Sequence, residues 1–302
     1  MEDIRLAMGF IGFVTVALFM GTHRLLKNQS RNFLTTMAAL VVILIVVYIV
    51  TVWGQLWIVN WIPLPSVIVL SNWFPLLMGS LAAIVWLQMK SQSVARRLPV
   101  MVLMLAAAVF SVTYFIPAAA IECGNVWINP PTVLRPIVNL PVCKQTTEFT
   151  CSAASAATIL NTLDIKTTEQ EMAELCLTKF GTHWLGLYHG LSTQLIATNH
   201  RVNFFEGDIG VLQKMARDHP VLLCCQLSRD DAKAVPEYVQ AGWIPGTAHS
   251  VVYFGSVDSN GRALHVIGDP SQGFEVWTSA DLSVLWTGEG LQISHVSEQP
   301  IE

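Results

Sequence analysis

Two residues in the second half of the chain have the types and spacing of a thiol nucleophile and its oxyanion donor. Cys151 follows a polar run and opens an Ala- and Ser-rich segment that is predicted as a helix. The unpaired N–H groups at a helix N-terminus lower the pKa of a thiol and favour the nucleophilic thiolate. Gln145 lies six residues earlier, where its side-chain amide can join the Cys151 backbone N–H in stabilising the oxyanion of a tetrahedral intermediate. This spacing favours acyl transfer through a thioester.

A histidine and an aspartate farther along the chain have the types needed to activate that thiol. His249 opens a strand-like run at 250–257, and the returning strand ends at Asp269. An antiparallel hairpin with its turn centred near Ser259 would place positions 249 and 269 opposite each other, whereas a tight Asn260-Gly261 turn would shift the register by three residues. One His–Asp pair alone is more often structural. The presence of all four groups along the chain, in the order glutamine, cysteine, histidine and aspartate, predicts a Cys-His-Asp triad with an oxyanion glutamine.

The elements that must position these groups are predicted as helices followed by strands, which is an α+β order. Helices are predicted at 151–163, from Thr168, at 185–198 and at 209–218, where Asp208 is the N-cap. Thr168 and Glu171 have the spacing of a capping box. Strands are predicted by alternation at 202–205, 221–227, 250–257, 263–268, 274–278 and 291–296.

The first half of the chain has the composition of a membrane domain. The 302 residues are 53% hydrophobic and 13% charged, and Asp, Glu, Lys, Arg and His are absent from Asn32 to Met89. A charge at the bilayer centre costs on the order of 3 kcal/mol, and a span needs roughly twenty apolar residues. Residues 1–121 are therefore predicted as an all-α bundle of four transmembrane helices, at 4–20, 34–53, 73–89 and 98–120.

The distribution of basic residues predicts the orientation of these spans. The first and third loops are basic and the second is not; the basic residues are Arg24, Lys27, Arg31, Lys90, Arg96 and Arg97. Since Lys and Arg concentrate in cytoplasmic loops, both termini are predicted outside. The chain is thus expected to be a multi-pass protein of the cell (inner) membrane, with residues 142–302 on the periplasmic or extracellular side.

The segment at 122–141 contains several prolines and is predicted as a Pro-rich tether. An exported domain favours disulfides, and Cys123 with Cys143, which flank the tether, are the predicted pair. Residues 122–302 carry ten Lys and Arg against nineteen Asp and Glu, which argues against nucleic acid as a partner. The chain has no C-x-x-C pair, so no metal is predicted, and the thiol chemistry requires no organic cofactor.

The soluble half resembles the bacteriocin-processing, or double-glycine, branch of the papain-like cysteine peptidases. The resemblance spans about residues 141–294, and Ser152 departs from it because family members usually carry glycine after the cysteine. The matching segments are Gln145-Thr-Thr-Glu-Phe-Thr-Cys151-Ser-Ala-Ala, Gly181-Thr182, Leu185-Gly186-Leu187, Ala248-His249-Ser-Val-Val-Tyr-Phe-Gly255, Gly268-Asp269-Pro270 and Trp286-Thr-Gly288. This resemblance implies a papain-like fold over residues 142–302, with the cysteine on an N-terminal helix followed by an antiparallel sheet.

The same resemblance implies that Cys151 attacks the scissile carbonyl, His249 moves the proton, Asp269 orients His249 and Gln145 supports the oxyanion. It implies a peptide or protein substrate, with cleavage after a Gly-rich leader as one specificity. Because the charge bias points the domain outward, the expected substrate is exported or delivered by the membrane. Two rival interpretations stay open: a transpeptidase or amidase that uses the same triad, and a catalytically silent peptide-binding module.

Overall fold

The computed structural model describes residues 1–114, 121–259 and 261–296. The chain divides into two compact units, Met1–Pro117 and Ala118–Glu302. Each unit has its own packed interior, and the second contains the residues with predicted chemistry.

The first unit is all α-helical. Its helices are α1 (Glu2–Leu26), α2 (Arg31–Thr51), α3 (Val67–Leu70), α4 (Phe74–Gln88) and α5 (Val94–Thr113), with a 3-10 helix at Leu56–Asn60. Within the described residues, four helical stretches are long and apolar enough to cross a membrane: α1, α2, α5 and the region Val67–Gln88. Residues 115–120 of the fourth predicted span lie outside the described residues. The segment with Pro63 and Pro65 forms short helical turns.

A break between α3 and α4 exposes backbone polar groups that side chains then satisfy. The hydroxyl of Tyr48 donates to the carbonyl of Ser71 at 2.8 Å and accepts from the N–H of Trp73 at 3.0 Å. Asn72, which is 1% exposed, donates to the carbonyl of Ser111 at 2.7 Å. In an apolar surrounding each unpaired backbone group is costly, so these contacts make the interruption tolerable.

The second unit is α+β, as predicted. Its helices are α6 (Cys151–Asn161), α7 (Glu169–Leu175), α8 (Trp184–Leu195), α9 (Ile209–Met215), α10 (Arg229–Ala234), α11 (Glu237–Gln240) and α12 (Ser279–Leu285). Its strands are β1 (Val126–Ile128), β2 (Val142–Lys144), β3 (His200–Glu206), β4 (Val221–Gln226), β5 (Ala248–Ser259), β6 (Arg262–Asp269), β7 (Gly273–Thr278) and β8 (Trp286–His295).

The main sheet of the second unit is antiparallel and lies in the order β3-β8-β4-β5-β6-β7 for the described residues. Helix α6 is buried along its whole length from Ser152 to Leu160, since its small Ala and Ser side chains allow close packing. The hydroxyl of Ser155 donates to the carbonyl of Ser250 at 2.8 Å, which fixes α6 against β5. The strand that carries His249 is thereby held against the helix that begins at Cys151.

Residues 122–141, expected as a tether, contribute structure to the second unit. Strand β1 pairs with β2 in the register Val126↔Lys144. The predicted disulfide is absent, because Cys123 and Cys143 are free thiols among the described residues. The Cys123 thiol lies 3.7 Å from the carbonyl of Ile121. Burial and the Glu169 carboxylate raise the pKa of Cys123 to about 11 and that of Cys143 to about 12, which disfavours the thiolates needed for oxidation.

Candidate active site

Cys151 is the first residue of α6, as the sequence predicts, and its side chain is partly exposed. The preceding Thr150 is fully buried. Its hydroxyl lies 3.0 Å from the hydroxyl of Thr147, so the loop before the helix is folded on itself. This loop and the buried body of α6 fix the position of the thiol.

His249 and Asp269 are brought together by the β5–β6 hairpin. Nε2 of His249 lies 2.9 Å from Oδ2 of Asp269, and the Cys151 thiol lies close enough to the imidazole for the two groups to shift each other's pKa. The Asp269 side chain is 4% exposed. Side chains from α6, β5 and the end of β6 are therefore brought together at one site.

The register of this hairpin differs from the symmetric one in which positions 249 and 269 are opposite. Ser259 pairs with Arg262, which leaves two residues for the turn; Asn260 lies outside the described residues. A bulge between Tyr253 and Gly255 then shifts the pairing, and Val252 pairs with Gly268. Asp269 follows that pair, and the length of the histidine side chain spans the remaining offset.

The second oxygen of the Asp269 carboxylate is held by the turn that follows β6. Oδ1 accepts from the backbone N–H and from the hydroxyl of Ser271, both at 2.6 Å. Burial raises the pKa of Asp269, but the hydrogen bonds from His249 and Ser271 lower it by more, so it lies below its ordinary value. The carboxylate therefore stays ionised beside the imidazole at neutral pH.

The thiol and the imidazole shift each other's pKa in opposite directions. Burial raises the pKa of Cys151, but the hydrogen bond and charge of His249 and the N–H of Ser250 lower it by more, so it lies below its ordinary value. Burial lowers the pKa of His249, but the contacts with Asp269 and Cys151 raise it by more, so it lies above its ordinary value. These opposite shifts favour a thiolate beside an imidazolium, which is the reactive form of a cysteine nucleophile.

An aromatic residue that the sequence did not mark, Trp243, packs against the imidazole and is itself supported by Trp277. The Trp243 ring lies edge-to-face against His249, with ring centroids 5.4 Å apart, and Trp277 lies against Trp243 at 5.9 Å. Trp243 belongs to the segment between β4 and β5, whereas Trp277 is in β7. Since the Trp243 ring shields one side of His249 from water, it strengthens the attraction between the imidazolium and Asp269.

Gln145 follows β2 and is anchored at both its backbone and its side chain. Its N–H donates to the carbonyl of Pro270 at 2.8 Å, which places it beside the turn that holds Asp269. Its Nε2 donates to the carbonyl of Thr147 at 2.9 Å and has a second hydrogen to give. Its Oε1 is buried and finds no hydrogen-bond partner among the described residues.

Ser152, which stands where the resembling family usually has glycine, joins α6 to β5. Its hydroxyl lies 2.8 Å from the hydroxyl of Ser250 and both residues are buried. Its oxygen also lies 4.0 Å from the Cys151 sulfur. The substitution thus adds a contact between the two elements that carry the thiol and the imidazole.

The described residues offer no obvious metal centre. No group of three or more His, Cys, Asp or Glu side chains within them is placed to hold a metal ion.

Comparison with solved structures finds peptidase domains, whereas no protein-family profile and no curated protein sequence matches the chain. The peptidase domain of Streptococcus ComA, a bifunctional ABC transporter of a quorum-sensing pathway, is 17% identical, with a TM-score of 0.39, over 50% of this chain and 96% of that chain. The peptidase domain of Streptococcus mutans ComA is 16% identical, with a TM-score of 0.32, and the match covers 51% of this chain and 98% of that chain.

A third similar structure is a double-glycine motif protease from an AMS/PCAT transporter, solved in complex with a leader peptide. It is 13% identical, with a TM-score of 0.37, over 60% of this chain and 96% of that chain. The predicted resemblance to double-glycine peptidases is confirmed by these likenesses. The roles of individual residues rest on the contacts within this chain.

Proposed function

We propose that this chain is a membrane-bound cysteine peptidase. Cys151 attacks the scissile carbonyl, and His249 transfers the proton to the leaving amine. Asp269 orients the imidazole, and Gln145 with the Cys151 N–H stabilises the oxyanion. The proposal is supported by one arrangement: His249 contacts Asp269 at 2.9 Å and lies beside Cys151, where its charge lowers the pKa of the thiol.

The proposed substrate is a peptide or protein that is exported or delivered by the membrane, including one cut after a Gly-rich leader. The four apolar helical stretches of the first unit anchor the enzyme. The basic loops near Arg24 and Lys90 lie on the cytoplasmic side, so the second unit lies outside. A fusion of a periplasm-active reporter at Glu302 should be active. A reporter active only in the cytoplasm would reverse this orientation and make cytoplasmic leader processing the better specificity.

A transpeptidase or amidase would use the same residues and differ only in the acceptor. In both cases Cys151 forms the same thioester, and either water or an amine resolves it. Product analysis with and without an added amine such as glycinamide distinguishes the two. Hydrolysed product alone supports the peptidase, whereas accumulation of the amide-linked product supports transfer.

The experiment that tests the proposal is mass spectrometry after treatment with a thiol-directed epoxide. Wild type should be labelled at Cys151, and His249→Ala should lose that labelling. Cys225 is the matched control, since it pairs with His249 across β4 and β5 but is fully buried. Burial, followed by the charges of Asp269 and Cys151, raises its pKa well above the ordinary value. Cys225→Ala should therefore leave the label unchanged.

Labelling spread over several thiols, or indifferent to His249→Ala, would contradict an activated nucleophile. That result would favour the catalytically silent peptide-binding module, in which a groove persists without chemistry.

A further inference from the structure

Glu169 is a fully buried carboxylate that the proposed triad does not use. It is the first residue of α7 and is 0% exposed. Its two oxygens accept from a single residue: Oε1 from the backbone N–H of Thr146 and Oε2 from the hydroxyl of Thr146, both at 2.8 Å. A buried carboxylate is costly unless it is hydrogen bonded, so this two-point contact ties α7 firmly to the loop between β2 and α6.

Thr146 is also held from its other side. The N–H of Gly124 donates to the Thr146 hydroxyl at 2.7 Å, so that oxygen accepts from Gly124 while it donates to Glu169. A Cβ at position 124 would lie 2.8 Å from the Thr146 methyl carbon, which only glycine avoids. The N–H of Cys123 donates to the side-chain oxygen of Gln170 at 2.7 Å, which attaches the segment before β1 to α7.

These contacts fix the backbone on both sides of Gln145. The N–H of Gln145 is held by the carbonyl of Pro270, and the next N–H, that of Thr146, is held by Glu169. With the backbone fixed on both sides, the hydrogen bond from Nε2 of Gln145 to the carbonyl of Thr147 at 2.9 Å holds the carboxamide in one position. An oxyanion donor is effective when it is already in place as charge develops in the transition state.

We propose that Glu169 is the positioning residue of the oxyanion donor, acting through Thr146 on Gln145. This inference rests on the proposed function, because Gln145 needs positioning only if Cys151 forms a tetrahedral intermediate. Glu169 touches no reacting atom.

Two reactions of the same thiol separate this role from a general structural one. Acetylation of Cys151 by p-nitrophenyl acetate passes through an oxyanion, whereas its alkylation by iodoacetamide does not. Mass spectrometry of the full chain in detergent gives both rates at Cys151 without knowledge of the natural substrate. Glu169→Ala should lower the acetylation rate about tenfold and leave the alkylation rate unchanged.

The variants are Glu169→Ala, Glu169→Gln, Gln145→Ala and the double variant Gln145→Ala with Glu169→Ala. Glu169→Gln keeps one oxygen for the Thr146 N–H and should recover part of the loss. In the Gln145→Ala background, Glu169→Ala should cause no further loss, because the donor that it positions is gone. Glu174→Ala is the matched control: this exposed carboxylate on the same helix contacts Gln170 and not Thr146.

Three outcomes would overturn the inference while leaving the proposed function intact: an unchanged acetylation rate in Glu169→Ala, equal losses of acetylation and alkylation, or losses that multiply in the double variant. Wild type that shows no selective reaction at Cys151 would instead overturn the proposed function, and the inference with it.

Discussion

The backbone N–H of Gln145 donates to the carbonyl of Pro270 at 2.8 Å. Pro270 directly follows Asp269, so this hydrogen bond holds the proposed oxyanion donor next to the proposed orienting carboxylate. Gln145 follows β2, whereas Asp269 ends β6. The thiol and the imidazole are joined separately, through α6 and β5. Because Asp269 also contacts His249, a substitution at Asp269 should act on the thiol and imidazole, whereas a substitution at Gln145 should act on the oxyanion.

Gln145→Ala should lower the rate of acetylation of Cys151 by p-nitrophenyl acetate by about 10²-fold, because one oxyanion donor is lost. The iodoacetamide rate should stay unchanged, since the thiolate is stabilised by His249 and not by Gln145. Gln145→Glu preserves the shape but removes the N–H, and should be at least as slow as the alanine variant. A normal acetylation rate in Gln145→Glu would exclude an oxyanion role for this side chain.

Asp269→Asn should lower the pKa of His249, because the attraction of the carboxylate for the imidazolium is removed. The ion pair with Cys151 then becomes less stable, and alkylation of Cys151 at neutral pH should slow. An asparagine Oδ1 can still accept from Ser271, so the turn after β6 should persist. The measurement is the rate of alkylation by iodoacetamide at neutral pH. An unchanged rate would mean that Asp269 does not contribute to the activation of the thiol.

The pH dependence of Cys151 alkylation should show the opposite shifts of the two groups. The thiolate forms as pH rises through the lowered pKa of Cys151, so the alkylation rate should reach its plateau below the range of an ordinary thiol. The imidazolium persists to higher pH than in an ordinary histidine, so the proton donor for a leaving amine stays available into the alkaline range. In His249→Ala the alkylation midpoint should move to higher pH. Coincident midpoints in the two proteins would show that His249 does not stabilise the thiolate.

Local sequence signals predicted much of the second unit because they depend on neighbouring residues alone. The predicted capping box is present, with Thr168 accepting from the Glu171 N–H at 3.2 Å and Glu171 accepting from the Thr168 N–H at 2.9 Å. Helix α6 begins at Cys151 and the sheet is antiparallel, as expected. Such features follow from caps, apolar periodicity and turn residues.

Features that depend on distant residues were not predictable in the same way. The bulge between Tyr253 and Gly255 leaves no clear pattern in the sequence, yet it changes the register of the hairpin. Helices α10 and α11 are too short for a helical period, so the segment that brings Trp243 to His249 was not predicted. For Glu169 the sequence indicated only that a helix begins nearby. Its contact with Thr146 joins residues far apart in the chain and depends on tertiary packing.

The same limit applies to the disulfide expected between Cys123 and Cys143. Two cysteines that flank a Pro-rich segment are a reasonable pair by spacing. Strand β1 instead pairs Trp127 with Cys143, and both cysteines remain free thiols among the described residues. Sequence spacing shows that two cysteines can meet, whereas their pairing depends on the tertiary packing of the segments that carry them.

The buried pair Ser152 and Ser250 should couple the stability of α6 to that of β5. Their hydroxyls lie 2.8 Å apart, so Ser152→Ala or Ser250→Ala alone leaves one buried hydroxyl with a lost partner. Each single substitution should lower the free energy of unfolding by about 1–3 kcal/mol. The double substitution should cost less than the sum of the two, because no hydroxyl is then left unpaired at this contact.

Thermal unfolding of the four proteins in the same detergent measures this coupling, and Ser283→Ala is the matched control. Ser283 is exposed and its hydroxyl bonds only within α12, to the carbonyl of Ser279 at 2.8 Å, so that substitution should change stability little. Strictly additive effects of Ser152→Ala and Ser250→Ala would mean that the two hydroxyls do not depend on each other. Ser152 would then be tolerated in place of glycine without stabilising the contact between α6, which carries the thiol, and β5, which carries the imidazole.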